Sequence, residues 1–406
     1  MEKRKYSIMA LLLMLSLVFT GCGQEMMDWM TEAVVEQAKE EAAQQAGEQP
    51  VVPEAPGEVK QPDIDSAAVR DSVAAPAGQY AYASLNGTAK EVYEEVYNAL
   101  TEFDESVNVS TVDEDILEQA FYAVLADHGE IFWVDGYKYT EYTKNDRVIS
   151  MDFQPTYTME QTQMQSYQRQ VEVRVKDILS GISANASDYE KAKYVYETLA
   201  STVAYQNDSP NNQNILSVFL GGSTVCQGYA SATQYLLSLL GVTCVTVSGT
   251  AMGTPHAWNL VCLDGQYYYM DTTWGSSSYT GGEGMAEGYV DYSYLAITSQ
   301  ELFCTHIPDH TFSLPVCNSI EDNYYVREGL YFTEWNSTAI GEKITEQKEQ
   351  KNGVVSLKFS YDELYQLAVD YYTEEGHLWD YYDGNDSVYY VEDTNMRVLT
   401  IFSVDS

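Results

Sequence analysis

The chain of 406 residues carries 61 acidic against 21 basic side chains, a formal net charge of −40 spread along its whole length. A charge of that sign and size favours solubility and repels other polyanions, which excludes nucleic acid as a partner. A hydrophobic content of 45% over this length is enough for more than one packed unit.

At the amino end, Lys3, Arg4 and Lys5 precede a short apolar run from Ile8 to Phe19, followed by Gly21 and Cys22. This layout reads as an export signal over residues 1–21, because the run falls short of the about 20 apolar residues that a membrane-spanning helix needs. Phe19-Thr20-Gly21-Cys22 resembles a bacterial lipobox, with Phe19 where leucine is usual. The resemblance implies cleavage before Cys22, lipidation of that cysteine, and an extracytoplasmic protein anchored to the bacterial cell membrane. Residues 22–87 read as a disordered tether, rich in Ala, Glu and Gln and holding five of the ten prolines between Pro50 and Pro76. Such a segment buries too little apolar surface to offset its ordering entropy.

Folded sequence is expected over residues 88–317. Val92, Val96, Leu100 and Phe103 recur at helical spacing, and Thr111 with Glu114 predicts a capping box that opens a second helix. Residues 131–157 alternate aromatic and polar side chains around Asp135-Gly136 and Lys144-Asn145-Asp146, which predicts short strands with tight turns. A helix over about 160–180 follows, then one opened by a Ser187–Glu190 capping box and ending near Tyr205. Beyond a glycine-rich loop at 281–288, residues 318–406 shift to Tyr-rich short strands with one amphipathic helix at 361–374, expected as a separate small α+β domain.

The chemistry lies in the middle. Cys226 stands directly before an apolar helix containing Leu236, Leu237, Leu239 and Leu240 and closed by Gly241. At a helix start, free N–H groups and the positive end of the dipole favour the nucleophilic thiolate and can cradle an oxyanion. Pro255–Val261 and Tyr267–Asp271 read as two strands joined at Asp264-Gly265. A turn centred there pairs Leu263 with Gln266, setting Trp258 opposite Asp271 and His256 opposite Thr273. His256 and Asp271 then share one sheet face as diagonal neighbours, and a one-residue slip would part them. A carboxylate orienting an imidazole that meets a thiol is what nucleophilic acyl transfer requires. Singly, Cys226 reads as a core cysteine, His256 as a strand histidine and Asp271 as a turn cap; together and in this order they are the expected catalytic triad.

Val225-Cys226-Gln227-Gly228-Tyr229-Ala230, His256-Ala257-Trp258-Asn259 and Asp271-Thr272-Thr273-Trp274 resemble, in this order, the transglutaminase-like superfamily over roughly residues 188–300. The resemblance implies a papain-like α+β core in which the helix-start cysteine packs on an antiparallel sheet. It implies attack of Cys226 on an amide carbonyl to give a thioester that water or an amine resolves, with His256 as base and acid and Asp271 as its orienter. Members often complete the oxyanion hole with an upstream aromatic or amide side chain, which points to Tyr205 or Gln213. No cofactor or metal is implied, and the expected substrate is a protein or cell-wall peptide at the cell envelope.

Cys304 with Cys317, and Cys244 with Cys262, are possible disulfides that spacing alone does not decide; either leaves Cys226 free. Cys304, His306, Asp309 and His310 crowd together, but with no partner set elsewhere they read as a polar loop rather than a metal site. Two other classes of function stand beside the enzyme. One is a noncatalytic binding or scaffold lipoprotein that keeps the fold, and the other a structural surface lipoprotein assembled through residues 318–406.

Overall fold

A computed structural model describes residues 2–9, 79–277, 289–350, 353–382 and 387–404. Cys22, the rest of the expected signal from residue 10, the tether as far as residue 78 and the glycine-rich stretch 281–288 lie outside the described residues.

Helices Tyr80–Ser84, Gly87–Glu102 and Glu114–Asp127 pack with a sheet of order β1-β3-β4-β2, built from β1 (Glu2–Met9), β2 (Val107–Val109), β3 (Val134–Lys144) and β4 (Arg147–Tyr157). The expected helical stripe is buried at Val92, Val96 and Leu100, and Phe121 of the third helix meets the Tyr137 ring of β3 at 4.7 Å. The hairpin turn falls at Asn145-Asp146, whose φ angles of 53° and 57° are those a two-residue turn of this hand needs. Asp135-Gly136, expected as a turn, lies inside β3 at a break in its register with β4. The Thr111–Glu114 box is replaced by an Asp113 cap that accepts from Asp115 N–H at 3.0 Å, whereas the Ser187–Glu190 box forms.

The fold begins earlier than the expected boundary at residue 88. Ala81 and Leu85 are buried, and the Asp127 carboxylate accepts the N–H groups of Ala81 and Tyr82 at 2.9 and 2.8 Å. Burial pushes the Asp127 carboxyl up to about 6, against those donors.

A short parallel pair, β5 (Ala204–Tyr205) and β6 (Ser223–Thr224), leads into helix Cys226–Leu239. That helix lies on an antiparallel sheet of order β10-β9-β8-β7-β11, comprising β7 (Cys244–Ala251), β8 (Thr254–Leu263), β9 (Gln266–Met270), β10 (Leu295–Ile297) and β11 (His306–Pro308). Leu263 pairs with Gln266 and Asn259 with Met270, so the register read from the Asp264-Gly265 turn holds, and β9 ends one residue before Asp271. The architecture is α+β, with the cysteine helix against the sheet that carries the histidine.

A third sheet of order β12-β13-β15-β14 holds β12 (Tyr331–Phe332), β13 (Val354–Phe359), β14 (Ser387–Asp393) and β15 (Val398–Val404), with helices Ser337–Gln350 and Asp362–Val369. This segment was expected as a separate domain, yet all described residues fall in one compact unit. Lys358 of β13, 1% exposed, pairs with buried Glu301 at 2.8 Å and donates to Met396 O at 2.9 Å. Tyr268 of β9 donates to Ser319 Oγ at 2.8 Å. The third sheet is therefore tied, through the buried Lys358–Glu301 pair, to helix Ser299–Leu302, which follows β10 of the central sheet.

Lys358→Ala leaves the Glu301 carboxylate buried without its cation, an expected loss of about 3–5 kcal/mol in urea unfolding. Lys358→Met combined with Glu301→Gln removes both charges and is expected to recover much of that loss. Equal losses in the single and double variants would contradict the assignment.

Candidate active site

Cys226 is the first residue of its helix, half-buried, with Val225 as N-cap. Tyr229 N–H makes the first bond back to Val225 O at 3.1 Å, so the N–H groups of Cys226, Gln227 and Gly228 precede the helix's own ladder. The helix can start here because residue 228 is glycine: a Cβ would sit 1.9 Å from Thr224 Oγ1 and 3.2 Å from Asn212 O. Thr224 Oγ1 donates to Asn212 O at 2.9 Å and accepts from Ser217 Oγ at 2.6 Å, fixing the strand that delivers the cysteine.

Three sequence motifs are bound to one another around this helix. Asn259 Nδ2 of β8 donates to Ala230 O at 3.0 Å. The hydroxyls of Thr233 and Thr272 meet at 3.0 Å, tying the helix to the turn that bears Asp271. Tyr229 donates to Val203 O and lies 3.3 Å from Ser276 Oγ.

His256, on β8 opposite Gly249, is buried and places Nε2 2.7 Å from Asp271 Oδ2. The Cys226 side chain is near enough to act on the His256 ring electrostatically. With Nε2 committed to the carboxylate, Nδ1 is the ring nitrogen left for the sulfur. Burial works against the imidazolium, but the Asp271 carboxylate and the Cys226 sulfur outweigh it and push His256 up to about 10.

Asp271 serves two ends at once. As N-cap of helix Thr272–Gly275, its Oδ1 accepts the N–H groups of Thr273 and Trp274 at 2.9 and 3.2 Å, while Oδ2 faces His256. The carboxylate is fully enclosed, and burial alone would favour its protonated form; the imidazoles beside it hold it well below the usual carboxylate range.

A second imidazole lies on the same oxygen. His306 Nε2 is 3.1 Å from Asp271 Oδ2 and its side chain is 0% exposed. This corrects the sequence reading of a polar loop: Cys304, Asp309 and His310 are exposed, but His306 sits on β11, paired with Ala251, and points inward. Gly249 permits the approach, since a Cβ there would meet Ile307 O at 2.1 Å and the Trp258 ring at 2.8 Å. Trp258 and Trp274 flank His306 with centroids 4.9 and 4.8 Å away, and Tyr294 lies 5.6 Å away. His256, Asp271 and His306 are also the one group among the described residues with donor atoms close enough, within 4.8 Å, for a metal ion. Both imidazoles are already committed to the carboxylate, so an ion would have to displace these bonds.

Of the residues expected to complete the oxyanion hole, Tyr205 lies in β5 opposite Thr224, two residues before the thiol. Gln213 is exposed and donates to Asn212 Oδ1 at 3.3 Å. The candidate disulfides do not form: Cys226, Cys244, Cys262, Cys304 and Cys317 are all free thiols. Cys244 pairs with Val261, so Cys262, one residue on, projects from the opposite face. Cys304 is exposed, bonded to Gln300 O, while Cys317 is buried with its N–H held by Ser299 Oγ.

Residues 176–272, which include Cys226, His256 and Asp271, match the family model of the Transglutaminase-like superfamily. A kyphoscoliosis peptidase of Mus musculus is 27% identical over 107 residues, 22% of this chain and 16% of its own length. The Homo sapiens kyphoscoliosis peptidase is 38% identical over 65 residues, 13% of this chain and 10% of its own. The match therefore spans only a small part of those relatives. A crystal structure of a TGase aligns with a TM-score of 0.26 at 14% identity, covering 38% of this chain and 47% of that one.

Gly228→Ala is expected to cost about 2 kcal/mol of stability by overpacking against Thr224, and to slow alkylation of Cys226 by iodoacetamide. A variant with unaltered melting and alkylation would refute the crowding argument. The folded pKa of His256 lies above its ordinary 6.5, so its ion pair contributes stability that is complete below that pH and lost as pH climbs towards about 10. The melting temperature is expected to decline over that window, and His256→Gln to flatten the decline.

Proposed function

We propose that this chain, which carries a transglutaminase-like domain at residues 176–272, is a cysteine enzyme that acts on amide bonds of proteins or cell-wall peptides at the bacterial cell surface. The observation that carries this reading is the bond of His256 to the enclosed Asp271 at 2.7 Å, with Cys226 at a helix start beside the same imidazole. A protein that served only as a scaffold would gain nothing from an ionised carboxylate held away from water beneath an imidazole and a thiol. The expected lipid anchor at Cys22 would give this location; the cleavage it requires would remove β1 and leave β3 at the edge of its sheet.

In the proposed reaction, His256 is already the imidazolium with a proton on Nδ1, Cys226 reacts as the thiolate paired with it, and the sulfur adds to the amide carbonyl carbon. The oxygen that becomes negative faces the free N–H groups at the helix start, where the dipole also favours it; Tyr205 or Gln213 would supply a further donor. His256 then gives its proton to the departing amine as the C–N bond breaks, leaving a thioester on Cys226. Water or a second amine adds to that thioester with the now neutral His256 taking the proton, and the C–S bond breaks to regenerate the thiolate beside the imidazolium. Throughout, Asp271 keeps the imidazole in the orientation that aims Nδ1 at the sulfur and stabilises its charged form.

The test is amide-substrate turnover together with iodoacetamide labelling of Cys226 across pH. Cys226→Ala is expected to abolish turnover. His256→Ala and Asp271→Asn are expected to lower it by roughly 10³-fold or more, by analogy with triads of this logic. Labelling of Cys226 that ignores the loss of His256 would defeat the proposal.

A further inference from the structure

Asp271 receives four hydrogen bonds, and the reaction just described uses one of them. Thr273 and Trp274 hold Oδ1 by their backbone N–H groups, His256 and His306 meet at Oδ2. His306 has no role in the triad, yet it is placed with care. Thr305 O accepts Met252 N–H and Ser248 O accepts Asp309 N–H, both at 2.8 Å, closing β11 onto β7 on either side of the histidine. Its other ring nitrogen, Nδ1, lies 2.7 Å from Thr305 Oγ1. A histidine buried only to fill space would lose its solvation for no gain. Here both ring nitrogens are engaged, one of them on the carboxylate that orients the base.

Resting on the proposed function, we propose that His306 is a positioning residue of the reaction: its Nε2–H holds Asp271 Oδ2 charged and aimed at His256 Nε2, and the Thr305 hydroxyl selects that tautomer. The need follows from the cycle. His256 alternates between neutral and cationic forms, so the support it gives the carboxylate rises and falls, while the aromatic walls of Trp258, Trp274 and Tyr294 offer no water to compensate. A donor that does not take part in proton transfer keeps the enclosed charge supported at every stage. The Thr305 hydroxyl has one proton and two acceptors in reach, His306 Nδ1 at 2.7 Å and Leu302 O at 3.4 Å; donation along the shorter contact leaves the ring proton on Nε2, the atom that faces Asp271.

The experiment follows the alkylation rate of Cys226 by iodoacetamide across pH in the full chain, resolved from the other cysteines by mass spectrometry of the Cys226 peptide. His306→Leu removes the donor, and is expected to cut the rate at mildly acidic pH by roughly tenfold or more, moving the profile towards that of His256→Ala. His306→Gln retains an N–H of similar reach and is expected to restore most of the wild-type profile, with Thr305→Val falling between the two. A folded His306→Leu protein with the wild-type profile and only a lowered melting temperature would overturn the proposal, as would His306→Gln behaving no better than His306→Leu. If His306→Leu does not fold, the wild-type protein decides: nitrogen-15 spectra of its histidines are expected to show a slowly exchanging proton on His306 Nε2, and a bare Nε2 there overturns the assignment. His256→Ala separates the two readings. Indifference to His256 defeats the enzyme itself, whereas dependence on His256 with indifference to His306 defeats only this inference.

Discussion

The constraint on which the site turns is the burial of one charge. The Asp271 side chain is 0% exposed, and an ionised carboxylate in such a place survives only if its oxygens find donors inside the protein. Two backbone N–H groups and two imidazoles provide them, and they come from three structural commitments. The turn after β9 must break into a helix so that Thr273 and Trp274 present their N–H groups. The β7–β8–β9 register must hold so that His256 arrives, and β11 must close on β7 so that His306 does. The cost of the buried charge thus becomes a reason for the sheet to have this order and for the tryptophans to lie where they do.

Placing the sulfur is a separate problem, solved by close approach. Gly228 lets the first turn of the helix rest on Thr224, and Asn259 reaches across from the histidine strand to Ala230 O. The cysteine helix and the histidine strand are therefore bound by a side chain three residues from His256. A shift of either would cost a buried hydrogen bond as well as alignment. The aromatic and glycine residues that mark these motifs in the sequence are in this sense structural: they keep the reacting groups within reach rather than react themselves.

How much of this was legible in the sequence depended on the range of the signal. The two-residue turn at Asp264-Gly265 sets a register by local chemistry alone, and with it the proximity of His256 and Asp271 could be read in advance. The Ser187–Glu190 cap and the helix of Val92, Val96 and Leu100 are local in the same way. Asp135-Gly136 looked like a turn, but pairing along β4 drew it into a strand, an instance of long-range contacts overriding a dipeptide preference. His306 was misread for a related reason. Three residues of strand leave almost no periodic signal, and nothing in Cys304–His310 announces that its partner is β7, more than 50 residues earlier. The proposed Cys244–Cys262 bridge failed on parity, because the registered partner of Cys244 is Val261.

The same distinction bears on where the functional unit ends. The stretch that matches the family model stops at residue 272, immediately after Asp271, whereas Tyr294, Thr305 and His306 all lie beyond it. Tyr294 directly precedes β10 and Thr305 directly precedes His306, the first residue of β11; helix Ser299–Leu302 between them carries Glu301, the buried partner of Lys358 in the third sheet. A chain of direct contacts therefore runs from the carboxyl-terminal sheet through Glu301 to the segment that supplies the second imidazole. On this argument the carboxyl-terminal residues are part of the support for the site's electrostatics, not an appendage to it.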